Sequence, residues 1–180
     1  MRNCGFALKA QHRIPYSNRM TKDNQNRAAE LLAAYTVGDS DVRPWGSYTV
    51  VAVGINENDE EFCEKEIVVS PQQILSLQSH DHRREHWIVK QGTLTVVLDG
   101  ERLTLKKGES VRIPLKGVHC MANLGSGDVV VKEIQSGICR EEDIRRYFDA
   151  YGRGTEAADD EKTKASLAVY KEILDELKKG

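Results

Sequence analysis

No stretch of the 180 residues approaches the roughly 18 consecutive apolar positions that a membrane-spanning helix needs. The opening Met1-Arg2-Asn3-Cys4-Gly5-Phe6-Ala7-Leu8-Lys9 holds no sustained apolar run and does not read as a secretory signal. Cysteine is scarce: Cys4, Cys63, Cys120 and Cys139 form no CxxC pair. Zinc-finger-like sites are therefore unsupported, and four free thiols are expected in a chain with no sign of export. A basic excess is also missing. Lys+Arg total 26 against 28 Asp+Glu, a formal charge of -2, which speaks against a general nucleic-acid binder. The expectation is a cytoplasmic chain with neither a membrane nor a nucleic-acid partner.

What is present is a soluble globular composition, 39 % apolar and 30 % charged. The length suits one domain with flanking arms and buries a real core. Residues 1–40 read as an arm, with Met1 and Met20 both candidate starts. Helical spacing of Ala28, Leu31, Leu32 and Tyr35 predicts a short helix over Asp23–Tyr35, with Gly38 as its stop.

Residues 41–137 change texture, to short β-branched runs separated by turn signals. The runs are Tyr48–Val53, Lys65–Val69, His86–Val89, Leu94–Leu98, Arg102–Leu105 and Val129–Ile134. Asp99-Gly100 is a hairpin signal between two of them. Many short strands at close spacing predict an all-β sandwich or barrel. Residues 138–180 turn helical. One helix is expected from Glu141 through Phe148, ended by Gly152 and Gly154, and a second over about 158–178. The second carries an apolar stripe of Leu167, Tyr170, Ile173, Leu174 and Leu177. That stripe suits its own barrel and a second subunit equally.

Four of the five histidines fall between positions 80 and 119. On a strand, His80 and His82 face the same way, Glu85 follows after a short bend, and His119 can close the set from another strand. Two or three imidazoles and a carboxylate suit one divalent ion of zinc, iron, manganese, cobalt or nickel. The competing reading is a solvated polar turn with unrelated histidines.

The framework around these residues decides between the two readings. Gly92 follows Glu85 by seven residues. Gly108, Pro114, His119 and Asn123 then follow in order. This resembles the two-part signature of the cupin superfamily, which implies a double-stranded β-helix, or jelly-roll barrel, and metal ligands His80, His82, Glu85 and His119. The spacing leaves Glu85 and His86 as rivals for the fourth place; the distance to Gly92 favours Glu85. Further motifs are Arg43-Pro44-Trp45-Gly46-Ser47-Tyr48, Leu75-Ser76-Leu77-Gln78, His82-Arg83-Arg84-Glu85-His86-Trp87, Gln135-Ser136-Gly137 and Tyr151-Gly152-Arg153. Together they resemble, from Arg43 to Arg153, the cupin domain of type II mannose-6-phosphate isomerases. That domain also forms the C-terminal half of bifunctional phosphomannose isomerase / mannose-1-phosphate guanylyltransferases. The glycine-rich nucleotidyltransferase signature of those enzymes is absent here, and guanylyltransfer is not expected. Phe148 stands where the family usually carries an acid.

The resemblance implies interconversion of mannose 6-phosphate and fructose 6-phosphate through an enediolate, with the metal as Lewis acid. Alternation along Val129, Val131 and Glu133 puts Glu133 on an apolar inner face, where its pKa would rise to suit a base. A register slip by one residue would leave it an exposed strand acid. Cations for the phosphate are sought among Arg43, Lys90, Lys116, Arg146 and Arg153, with Arg146 also assigned to catalysis. Gln78 is a candidate for the sugar hydroxyls or a metal-bound water, and Arg83 and Arg84 for neutralising neighbouring acids. Trp45 and Trp87 are expected to fill the barrel and its mouth. A homodimer is expected by analogy. Two other functions fit a cupin: a sugar-phosphate sensor without turnover, and an iron-dependent dioxygenase, which the arginine motifs disfavour.

Overall fold

The computed structural model describes residues 22–179. The questions of the start codon and of Cys4 lie outside them. After helix α1 (Lys22–Ala34), the chain forms β1 (Ser40–Arg43), β2 (Gly46–Ile55), β3 (Glu61–Val69), β4 (Gln73–Ile74), β5 (Leu77–His80) and β6 (Arg83–Gln91). It continues through β7 (Thr93–Leu98), β8 (Glu101–Lys106), β9 (Ser110–Ile113), β10 (His119–Asn123), β11 (Val129–Gly137), β12 (Ile144–Phe148) and helix α2 (Glu161–Leu177). The strands make two antiparallel sheets. One runs β1-β2-β3-β11-β6-β9 and the other β12-β5-β10-β7-β8, with β4 added to β10. The two sheets face each other as a jelly-roll barrel.

Period-2 alternation builds the core. On β3, on β6 as far as Val89 and on β11 as far as Gln135 the odd-numbered residues are buried. At one end these are Val69, Val89, Val129 and Val131, packed with Leu94, Val96 and Met121. Toward the other end the same inward face turns polar: Glu133 pairs across to Lys65 and Trp87, and Gln135 to Cys63 and Glu85. The barrel is thus dry at one end and lined with charge at the other. The expected hairpin is present, with Asp99 and Gly100 at φ 49° and 90°.

The helix expected from Glu141 to Phe148 is not formed. Only Glu141–Asp143 make a helical turn, and Ile144–Phe148 are strand β12 on the edge of β5. Pairing of Ile144 with His80 and Arg146 with Gln78 satisfies the β5 edge, which outweighs local helix preference. Helix α2 forms as expected. Asp160 caps it by accepting from the Thr163 N–H at 2.9 Å. Its Tyr170 and Ile173 are fully buried against Ile74, Leu77, Val97 and Cys120 of the chain's own barrel. Phe148 packs on Tyr170 at 5.2 Å between ring centroids and so helps to seat this helix. No helix among the described residues is long and apolar enough to cross a membrane.

Candidate active site

The polar end of the barrel holds two connected features, a buried donor cluster and a cavity above it. His80, Glu85 and His119 place their ligand atoms within 4.8 Å of one another, all buried. Glu85 Oε1 lies 3.2 Å from His80 Nε2, and its Oε2 3.7 Å from His119 Nε2. Trp87 donates its indole N–H to Oε2 at 3.0 Å and sets its ring edge-on to His119. Burial alone would raise the Glu85 pKa. His80, Arg83 and His119 around it win and hold it well below the carboxylate range. For His119, burial dominates and lowers the pKa to about 4, so the imidazole is neutral.

This donor set fits a divalent ion. His119 Nδ1 lies 2.8 Å from the Gly117 carbonyl and His80 Nδ1 3.3 Å from the Asp143 carbonyl, which turns both Nε2 lone pairs inward. His119 Nε2 has no hydrogen-bond partner among the described residues. A lone pair facing a carboxylate oxygen without a proton between them calls for a cation, and ligand distances of about 2.0–2.2 Å suit these separations.

His82 does not join the cluster. Strand β5 ends at His80 and β6 begins at Arg83, so the two histidines do not share a strand. The Asp143 carboxylate accepts the backbone N–H groups of Asp81 and His82 at 3.1 and 3.2 Å, and the bend leaves the His82 ring exposed. His86 points to the outer face of β6. Arg83 takes the inward place instead.

Above the cluster lies a cavity of about 310 Å³, lined by Arg43, Gln78, Arg146 and Arg153 among the expected residues and by Glu133 from β11. Lys90 and Lys116 are not there. Lys90 follows inward Val89 and so faces solvent, and Lys116 sits in an exposed turn beside Asp81. Trp45 is buried in the cavity wall and Trp87 in the barrel. Glu133 is 6 % exposed and accepts from the Gln135 amide at 2.9 Å. Burial first, then the Glu85 charge, push its pKa up to about 8, against the opposing pull of Lys65 and Arg83. Arg146 has a buried Nε without a partner among the described residues. Its pKa is lowered by burial and by the like charges of Arg153 and Arg43. Arg43 is paired with Asp41 at 2.7 Å, and three guanidinium groups lining one cavity suit an anion. Arg153 is held by the fully buried Asp149 carboxylate at 2.7 and 3.0 Å.

Two further residues escaped the sequence reading. Lys65 is 5 % exposed, lies with its ammonium 4.3 Å from the Tyr35 ring centroid and 4.9 Å from that of Tyr48, and reaches Glu141 at 3.8 Å. Gln135 is buried beside Glu133. The signal for both was the alternation that located Glu133: Lys65 shares a face with Ile67, and Gln135 with Val131.

Residues 33–149 match the family described as mannose-6-phosphate isomerase C-terminal. The alginate biosynthesis protein AlgA of Pseudomonas aeruginosa is 44 % identical over 117 residues, 64 % of this chain and 23 % of AlgA. The mannose-1-phosphate guanylyltransferase of Escherichia coli is 40 % identical over 112 residues, 62 % of this chain and 22 % of that protein. The chain therefore spans less than a quarter of the length of these relatives. Among solved structures, KdgF from Halomonas sp. superposes with a TM-score of 0.50 at 22 % identity, covering 58 % of this chain and 89 % of that one, a likeness of fold alone.

Proposed function

The chain belongs to the mannose-6-phosphate isomerase C-terminal family, and on that premise we propose that it interconverts mannose 6-phosphate and fructose 6-phosphate. The observation that carries this reading is Glu133: a buried carboxylate with a raised pKa, opposite Lys65, in a cavity that also gathers Arg43, Arg146 and Arg153. A base for carbon-bound protons and an anion site share one cavity large enough for a sugar phosphate.

In the aldose-to-ketose direction, ionised Glu133 takes the C2 proton as the C1 carbonyl oxygen gains negative charge. The Lys65 ammonium offsets that charge, and its Tyr35 and Tyr48 flanks keep it in place. The O2 proton then passes to O1, and Glu133 returns its own proton to C1, which yields the ketose. Gln78, its side-chain oxygen tied to the Ser76 hydroxyl at 2.9 Å, presents its amide to sugar hydroxyls. A divalent ion on His80, Glu85 and His119, when bound, supplies Lewis-acid polarisation of the substrate oxygens.

The test is proton NMR of mannose 6-phosphate in D2O with metal-reconstituted protein. Loss of the C2 proton signal and growth of fructose 6-phosphate are expected. Line broadening of the sugar without exchange would assign the cavity to binding alone and sink the isomerase reading. Arg146→Ala is expected to raise KM about ten- to a hundredfold, the worth of one charge-assisted hydrogen bond to phosphate. Steady-state kinetics with mannose 6-phosphate reads this directly, and an unchanged KM removes Arg146 from the anion site.

A further inference from the structure

The donor cluster is in contact with a cation of the protein's own. Arg83 is 2 % exposed, and each of its guanidinium nitrogens is engaged. Nε donates to Glu85 Oε1 at 3.1 Å, Nη2 lies 3.2 Å from His80 Nε2, and Nη1 donates to the Arg140 carbonyl at 2.9 Å. The middle contact is decisive. In the neutral imidazole, with Nδ1–H directed at the Asp143 carbonyl, His80 has a single lone pair, on Nε2. That lone pair accepts a hydrogen bond from Arg83 or binds a metal ion; it cannot do both. The guanidinium keeps its charge at any working pH, so deprotonation gives no way out. Arg83 also lines the cavity, together with Glu133, Glu141 and the three arginines. It therefore has somewhere to go.

We propose that Arg83 and a divalent ion exclude one another from the His80–Glu85–His119 cluster, and that an anion in the cavity promotes metal loading by drawing the guanidinium off His80. Metal and anion then bind with positive coupling through a single side chain. By linkage the coupling is reciprocal: the metal tightens the anion by the same factor. The proposal rests on the cavity being an anion site, which the isomerase reading shares, but not on turnover.

The experiment is a titration of the full chain with cobalt(II), read by its visible absorption, with and without sulfate as the cavity anion. Sulfate is expected to tighten cobalt binding by about fivefold or more, the usual scale of such couplings. Arg83→Met keeps the side chain's length and removes its donors and charge. It is expected to bind cobalt about tenfold or more tightly than the parent, with the sulfate effect lost. Equal or weaker cobalt binding in the variant overturns the proposal, because Arg83 would then support the metal site. If the variant does not fold, the parent decides: sulfate-independent cobalt affinity overturns the proposal, and a sulfate-tightened affinity sustains it. No readout involves isomerisation, so an inactive protein leaves this proposal standing and an active one does not rescue it.

Discussion

Replacing Glu133 with glutamine is expected to lower isomerase turnover by about two to four orders of magnitude, the usual worth of a positioned general base. Bound metal should stay at the parent level, because Glu133 is not one of the cluster donors. Glutamine keeps the size of the side chain and can still meet the Gln135 amide, so the loss isolates the proton-transfer step. Single-turnover kinetics with C2-deuterated mannose 6-phosphate checks it; normal turnover in the variant removes Glu133 from the mechanism. The parent carries its own signature. With the Glu133 pKa pushed up to about 8, the base form grows as pH rises, so kcat/KM is expected to climb through neutrality and level off above about pH 8. Stability follows the opposite course. The folded state holds a proton that the unfolded chain releases near the ordinary glutamate pKa. Its contribution is therefore full below that value and is lost as pH rises through about 8. The groups facing the carboxyl are Glu85, which adds to this loss, and Lys65 and Arg83, which reduce it. Thermal melts at pH 5 and pH 9 should show the parent losing more than Glu133→Gln over that interval.

Gly137→Ala is expected to cause a large loss of stability beside the site. Gly137 has φ +114°, a region that L residues rarely enter, and a Cβ there would lie 2.3 Å from the His82 carbonyl oxygen and 3.1 Å from Arg83 Cα. Both neighbours are backbone and cannot swing aside. Ile138 N–H donates to the same His82 carbonyl at 2.9 Å, so relief of the clash breaks this bond as well. Strain and clash together should cost at least about 3 kcal/mol, or a Tm lower by roughly 6–12 °C for a chain of this size. Gly108→Ala is the control. Its φ is +90° but nothing lies within 4 Å of the added carbon, so only the conformational penalty of about 1–2 kcal/mol applies. Equal melting temperatures for the two variants would contradict the account. The shift at Gly137 also moves the bend between His80 and Arg83, so cobalt affinity should change together with stability.

How much of this was legible in the sequence depended on whether local pattern and long-range pairing agreed. They agreed on β11, where alternating valines carried Glu133 to the inner face, and on α2, whose stripe found its own barrel. They disagreed at His82. An HxH pair implies one continuous strand, but the Asp143 carboxylate, sixty residues on, captures the backbone there and bends it. That partner cannot be read from the local residues. The same holds for Ile144–Phe148, whose helical spacing gave way to an open edge on β5. Lys65 was legible only through the strand period, which sets it on one face with Ile67.

The position of β11 has a consequence for how the chain reaches its folded state. This strand lies between β3 and β6, with Val129 opposite Val69 and Ser136 opposite Phe62. It can be placed only after a long loop has closed, and non-local pairing of this kind is slow. Glu133 therefore meets Lys65 only once that loop has closed. A refolding population should regain isomerisation in its slowest whole-chain phase, and a nascent chain ending before β11 has strands but no chemistry.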